Sequence, residues 1–247
     1  MKVAFRVDAS LTIGTGHVMR CLTLADALRV SGAQSVFLCR DHVGHLHQVI
    51  QNRGYPLLSL GEVSKPLAMS TDTPYAHWLG VDLQRDADDT RIQLASLSVD
   101  WLIVDHYSLD KSWEQSLQST CKKIMAVDDL ANRDHVVDVL VDQNLGKTAD
   151  DYKYRVSSLC ELLLGPHYAL VRPGFAALRT KSLSRRDQGS LRKILITMGG
   201  VDLPNFTGKV LEAFDAWRPP VNLEVTVVMG SSAPWRDQII QQALKEG

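Results

Sequence analysis

The chain has few cysteines and pairs none of them at a spacing that does chemistry. Cys21, Cys39, Cys121 and Cys160 form no C-x-x-C, which excludes a zinc ribbon, a thioredoxin-like redox pair and a disulfide scaffold. No run approaches the ~20 apolar residues of a membrane span. The N-terminal stretch MKVAFRVDAS carries Arg6 and Asp8 inside its apolar run, so it cannot serve as a secretory h-region. Charge of one sign is also lacking: 27 Lys and Arg stand against 28 Asp and Glu. A nucleic-acid surface has little compositional support from such a balance, which leaves room only for a local patch. Internal repeats, heptads and low-complexity tracts are absent as well. These absences point to a cytoplasmic protein that acts on a small molecule, with no nucleic acid and no membrane as partner.

What is present is a 45% apolar composition, enough to bury a core over 247 residues. Lys2 to Val7 is a short β-favouring run. After a turn with two glycines, Val18, Leu22, Ala25 and Leu28 recur at helical spacing. Strands over 35–39 and 56–60 bracket a helix over 43–52 that Gly54 stops. The pattern then breaks between Gly61 and Gly80, a connection long enough to suggest a mobile flap near a ligand. A helix over 85–97, a strand over 101–105, a helix over 111–119 and strands over 123–127 and 137–141 follow. Alternation of this kind predicts an α/β fold with a parallel sheet covered on both faces.

Residues 1–165 therefore read as an N-terminal Rossmann-like domain, and the polar stretch 166–192 as a flexible linker. A second alternation follows: strand 193–197, helix 204–216, strand 223–228, helix 235–245. Two strand-helix units in 193–247 are few beside domains of about 100 residues, so this domain is expected to be incomplete, as a truncated product or a partial chain.

Ligands of open parallel sheets bind beyond the carboxyl ends of the strands, where helix N-termini point inward. Asp8 and Gly14-Thr15-Gly16-His17 occupy that position after the first strand. Glycine admits a ligand to the backbone, and a histidine at a helix start is kept neutral by the helix dipole and can accept a proton. The same residues could equally make a tight turn and a helix start. The loop is not a full G-x-G-x-x-G and lacks the lysine of a P-loop, so spacing alone leaves both readings open. His42, His45, His47 and His135 read as surface residues without a role.

Val104-Asp105-His106-Tyr107, followed by Asp128-Asp129, forms a second acidic group that could orient a sugar or a base. Capping of the following helices is the commoner fate of Asp128 and Asp129. No third ligand stands at a metal-binding spacing, so no metal and no cofactor are expected. The third group is Met198-Gly199-Gly200-Val201-Asp202 with Asn205, a glycine turn at a helix start whose backbone N–H groups suit a diphosphate.

Taken together, Arg6 to Ser10, Ile13 to Leu22, Val104 to Tyr107, Trp113-Glu114, Asp128 to Arg133, Asp142 to Asn144, Leu164 to Pro166, Tyr168 to Leu170, Arg172-Pro173, Phe175, Gly199-Gly200 and Asp202 resemble the UDP-sugar hydrolases of the pseudaminic acid pathway. The resemblance implies a glycosyltransferase-B-like fold, two Rossmann-like domains with the cleft between them. It implies His17 as catalytic base, with Asp8, Gly14, Gly16, Tyr107 and Arg172 at the substrate and Gly199, Gly200, Asp202 and Asn205 at UDP. Gly174 stands where an acidic residue is expected. The family's later glycine-rich segment, with its ribose-binding glutamate, has no counterpart.

UDP is a good leaving group, so one base suffices where ordinary glycoside hydrolysis needs two carboxyl groups. The expected enzyme is thus a metal-independent, inverting UDP-sugar hydrolase acting as a monomer. A glycosyltransferase on the same scaffold, or a nucleotide-sugar binding fragment without catalysis, are the alternatives.

Overall fold

The computed structural model describes residues 1–63, 75–186, 191–217, 223–230 and 233–246. The chain divides into two compact units, residues 1–13 with 17–171, and residues 14–16 with 172–247.

The first unit is built on strands β1 (Lys2–Val7), β2 (Gln34–Asp41), β3 (Leu57–Glu62), β4 (Val99–Asp105), β5 (Cys121–Val127), β6 (Val139–Asp142) and β7 (Glu161–Leu164). Their order is β3-β2-β1-β4-β5-β6-β7, and every pair is parallel. Helices α1 (Gly16–Val30), α2 (His47–Asn52), α3 (Leu83–Leu94), α4 (Lys111–Leu117) and α5 (Ala149–Tyr152) make the connections.

Side-chain alternation along β1 divides the core in two. Val3, Phe5 and Val7 pack with Val18, Cys21, Leu22 and Ala25 of α1 on one face. Ala4 joins Ala87 and Leu94 of α3 and Trp113 and Leu117 of α4 on the other. Arg6 shares that second face and is wholly buried. Its guanidinium meets Asp86 of α3 at 2.6 Å and Asp8 at 2.7 Å, and Arg40 reaches Asp86 at 2.9 Å. Buried charges are tolerated because each meets an opposite one within hydrogen-bonding distance. A charged residue inside an apolar strand is thus part of the scaffold.

The elements predicted from periodicity are present with shifted ends. β7 and α5 are additional, each only four residues long, too short to leave a periodic signal. Of the connection read as a flap, residues 64–74 lie outside the described residues. The expected flexible linker contains a helix, α6 (Pro173–Arg186). Its signals are Pro173 at the first helical position and Arg185 and Arg186 in the last turn, where they oppose the dipole's negative end.

The second unit pairs β8 (Lys193–Ile196) with β9 (Glu224–Val227) in parallel. Helices α7 (Phe206–Trp217) and α8 (Arg236–Glu246) complete it, around Ile196, Leu211 and Ile239. No helix among the described residues is long and apolar enough to cross a membrane.

Candidate active site

Strand order reverses between β1 and β4: the chain leaves β1 toward β2 and β3, then returns to pair β4 along β1's other edge. This is the switch point at which loops diverge and a crevice opens beyond the carboxyl ends. Val7 pairs with Asp105 in register, so the loop after β1 and the segment Asp105-His106-Tyr107 leave the sheet side by side. Gly14, with φ of 82°, turns the chain into α1 through a conformation that a β-carbon resists. His17 then falls in the first turn of α1 and is buried.

The His17 Nδ1 lies 2.6 Å from Asp105 Oδ1. Arg20, one helical turn along the same face, donates to both oxygens of Asp105 at 2.6 Å and continues to Asp129. Tyr107 donates its hydroxyl to Asp129 at 2.8 Å. Asp105 is fully buried. Burial alone would raise its carboxyl, but His17 and Arg20 overcome that and hold it well below the usual carboxylate range. It therefore stays an anion that accepts the Nδ1 proton, which makes Nε2 the acceptor nitrogen of the ring. Aromatic side chains flank the histidine. The Tyr107 ring meets it edge-on at 4.6 Å, and Trp78 stacks on Tyr107 at 5.6 Å.

Of the residues expected at the substrate, His17 and Tyr107 come together here, at the end of the Gly14–Gly16 loop. Asp8 lies deeper. Its carboxylate is wholly buried, salt-bridged to Arg6 and accepting from the Arg40 backbone N–H at 2.8 Å, with His42 and His106 3.5 and 3.4 Å away. Arg172 belongs to the second unit, where its guanidinium lies over the Phe175 ring at 5.5 Å.

Gly199 turns the chain after β8 with φ of 79°. Asp202 accepts from the backbone N–H groups of Phe206 and Thr207 at 2.9 and 2.8 Å, and Asn205 accepts from Gly208 N–H at 3.1 Å. Both side chains therefore cap the start of α7. A β-carbon on Gly230, in the loop after β9, would lie 2.1 Å from the Gly200 carbonyl oxygen. Only glycine lets these two turns touch.

Two expectations need correction. His42 and His135 are not surface residues; they are 8% and 4% exposed. His135 donates toward Glu114 from Nδ1 at 2.6 Å, and its Nε2 faces Asp128 at 3.8 Å. Asp128 and Asp129 cap no helix, because β5 passes to β6 through irregular chain. Asp128 instead accepts from Ala131 N–H and Arg133. Buried histidine and surface histidine look alike in a sequence, since burial is decided by which carboxylates the fold brings opposite. Arg20 was within reach of helical spacing from His17. Trp78, in a short 3-10 turn, had no signal.

No protein-family profile matches the chain. It is 27% identical, over 95% of its own length and 71% of the relative's, to the UDP-2,4-diacetamido-2,4,6-trideoxy-beta-L-altropyranose hydrolase of Campylobacter jejuni. The chain is a homologue of that hydrolase. An uncharacterized protein of Methanocaldococcus jannaschii is 23% identical over 97% of the chain, which spans only 44% of that relative's length. Among solved structures, MurG of Acinetobacter baumannii matches with a TM-score of 0.53 at 13% identity, covering 92% of this chain and 67% of that one. This last likeness concerns the fold alone and bears out the glycosyltransferase-B-like α/β architecture.

Proposed function

We propose that the chain carries the catalytic machinery of a UDP-sugar hydrolase, with His17 as the base. The observation that carries this reading is the 2.6 Å contact between His17 Nδ1 and the buried Asp105 at the sheet's switch point. A histidine so held presents one defined acceptor nitrogen, which general-base chemistry requires. Water gives its proton to Nε2 while its oxygen bonds the anomeric carbon from the face opposite UDP. The anomeric C–O bond breaks, its electron pair leaves with the diphosphate, and the sugar is released inverted. UDP needs no acid to depart, so one base suffices and no metal is called for. Tyr107 and the Gly14–Gly16 loop are assigned to the substrate beside His17. The Gly199-Gly200 turn, stiffened by the caps at Asp202 and Asn205, is assigned to UDP, with Arg172 as a further substrate contact.

The name of the C. jejuni hydrolase supports a diacetamido trideoxy sugar as the substrate, and pseudaminic acid biosynthesis is the pathway proposed for the product. Incubation with that UDP-sugar and no acceptor should release UDP. His17→Ala should abolish release while UDP-sugar binding, followed by calorimetry, survives. UDP that appears only when an acceptor alcohol is added would make the protein a glycosyltransferase instead. Activity of His17→Ala within about tenfold of wild type would remove His17 as the base.

A further inference from the structure

His17 and His135 both meet a buried carboxylate through Nδ1 at 2.6 Å, and what stands behind that carboxylate differs. At His135 it is Glu114, whose other oxygen takes the uncharged Val136 N–H at 2.6 Å. A second carboxylate, Asp128, faces Nε2 at 3.8 Å. Burial would lower this imidazole, but the two carboxylates prevail and push it up to about 9, so it is a cation at neutral pH. A histidine so held anchors structure and has no nitrogen free to receive a proton. His17, to act as a base, must escape that outcome while keeping its own carboxylate.

Arg20 supplies the difference. Its side chain is 12% exposed, and its guanidinium takes both oxygens of Asp105 at 2.6 Å. Nη2 also lies 3.4 Å from His17 Nδ1. Nη1 is tied to Asp129, which accepts from Tyr107 at 2.8 Å, so the cation is fixed at both ends. Other titratable neighbours carry no charge near neutral pH. Burial pushes the Tyr107 hydroxyl up, and likewise the Cys21 thiol, whose Sγ lies 3.5 Å from Asp105 Oδ2. It pushes His106 down to about 3. Among the described residues, the charges around the His17 ring are thus Asp105 and Arg20, with Asp129 beyond Arg20 and Arg133 5.6 Å over the Tyr107 ring.

We infer that Arg20 is a positioning residue that keeps the base free: by occupying both Asp105 oxygens, it leaves that carboxylate able to orient the imidazole and too well neutralised to hold a second proton on it. A cation this close disfavours imidazolium directly, and neutralising Asp105 weakens the anion that would favour it. The orienting hydrogen bond survives, since Nδ1–H still reaches Oδ1. The inference rests on the reading of His17 as the base and adds what governs the pH at which that base works.

The test is an NMR titration of the full chain with 15N-labelled imidazoles, the His17 signals assigned through His17→Ala. Wild type, Arg20→Gln and Arg20→Lys are compared, beside the pH profile of kcat/KM for UDP release. The His17 midpoint should rise by about one pH unit or more in Arg20→Gln and stay near wild type in Arg20→Lys, which keeps the charge. The acid limb of kcat/KM should move with it, so that activity on that limb falls about tenfold while the alkaline plateau changes less. Arg20→Met, which keeps the aliphatic stem, takes the place of Arg20→Gln should that variant not fold. A midpoint that rises in the neutral variant, without any UDP release by the wild type, would keep the Arg20 assignment and sink the hydrolase reading. UDP release with midpoint and acid limb unmoved, or an equal shift in the lysine variant, would leave Arg20 a structural residue and overturn this inference alone.

Discussion

An imidazole used as a base must keep its proton on the far nitrogen, and in the base role proposed for His17 that task would fall to Asp105, 2.6 Å from Nδ1. In Asp105→Asn the amide can present its NH2 to Nδ1 and favour the wrong tautomer. Arg20, which donates to both oxygens of Asp105, would lose its counter-charge in the same variant. We expect kcat for UDP release to fall by about 10²- to 10⁴-fold with KM changed little. Steady-state kinetics of that variant check this; a loss under about fivefold would mean that Asp105 only fills space. Gly230 makes a second test at this scale. Gly230→Ala would push a β-carbon into the Gly200 carbonyl, 2.1 Å away, and displace the turn assigned to UDP. Calorimetry should find UDP binding weakened by about tenfold or more, while Asp105 and His17 keep their geometry.

Elements carry their own electrostatic signatures. The loop from β5 to β6 is fastened to α4 by His135, whose partners Glu114 and Asp128 are buried. Burial would lower this imidazole, but the neighbouring carboxylates of Asp128 and Glu114 prevail and raise it to about 9. With the unfolded value near 6.5, the native state holds a proton that the unfolded state releases between these two pH values. The stabilisation is therefore complete below about pH 6.5 and lost as pH rises through about 9, to the extent of roughly 3 kcal/mol. Denaturant unfolding at several pH values should show this alkaline loss in the wild type and a flatter curve in His135→Gln. His106 works in the opposite sense. Burial first, then Arg6, pushes it down to about 3 against the pull of Asp8, so it opposes folding increasingly as pH falls below about 6.5. In the second unit, Asp202→Ala should cost α7 its cap and about 1 kcal/mol. Asp202→Asn should retain most of it, as urea titration of the two variants would show.

At the scale of the whole molecule the two units differ in how much core they own. The first has a seven-stranded sheet with an apolar cluster on each face. Among its described residues the second has two paired strands and a small cluster at Ile196, Leu211 and Ile239. Stability scales with buried apolar area, so the second unit should melt first. Calorimetric heating is expected to give two transitions, with Leu211→Ala lowering only the earlier one. A single transition shifted as a whole by that substitution would contradict this.

How much of this was legible in the sequence depended on the range of the interaction. Periodicity within ten or fifteen residues was enough for β1, α1, β4 and α4, because side-chain spacing reports directly which face is buried. The Gly14–His17 loop and the Gly199-Gly200 turn were visible as local backbone chemistry at helix starts. β7 and α5 were too short to register, and α6 was hidden by polar composition although its terminal signals were present.

The sequence by itself thus determined the α/β alternation and marked Gly14 to His17 as a glycine turn at a helix start, since both depend on neighbours along the chain; spacing left turn and site both open there, and the resemblance alone pointed to His17. Only the tertiary structure decided what His17 touches. Asp105 lies 88 residues away and reaches it because the parallel register sets Val7 beside Asp105. It likewise sent Asp8 into a buried charge network and His135 between two carboxylates. Pairing of charges across a sheet obeys distance in space, which spacing along the chain does not encode.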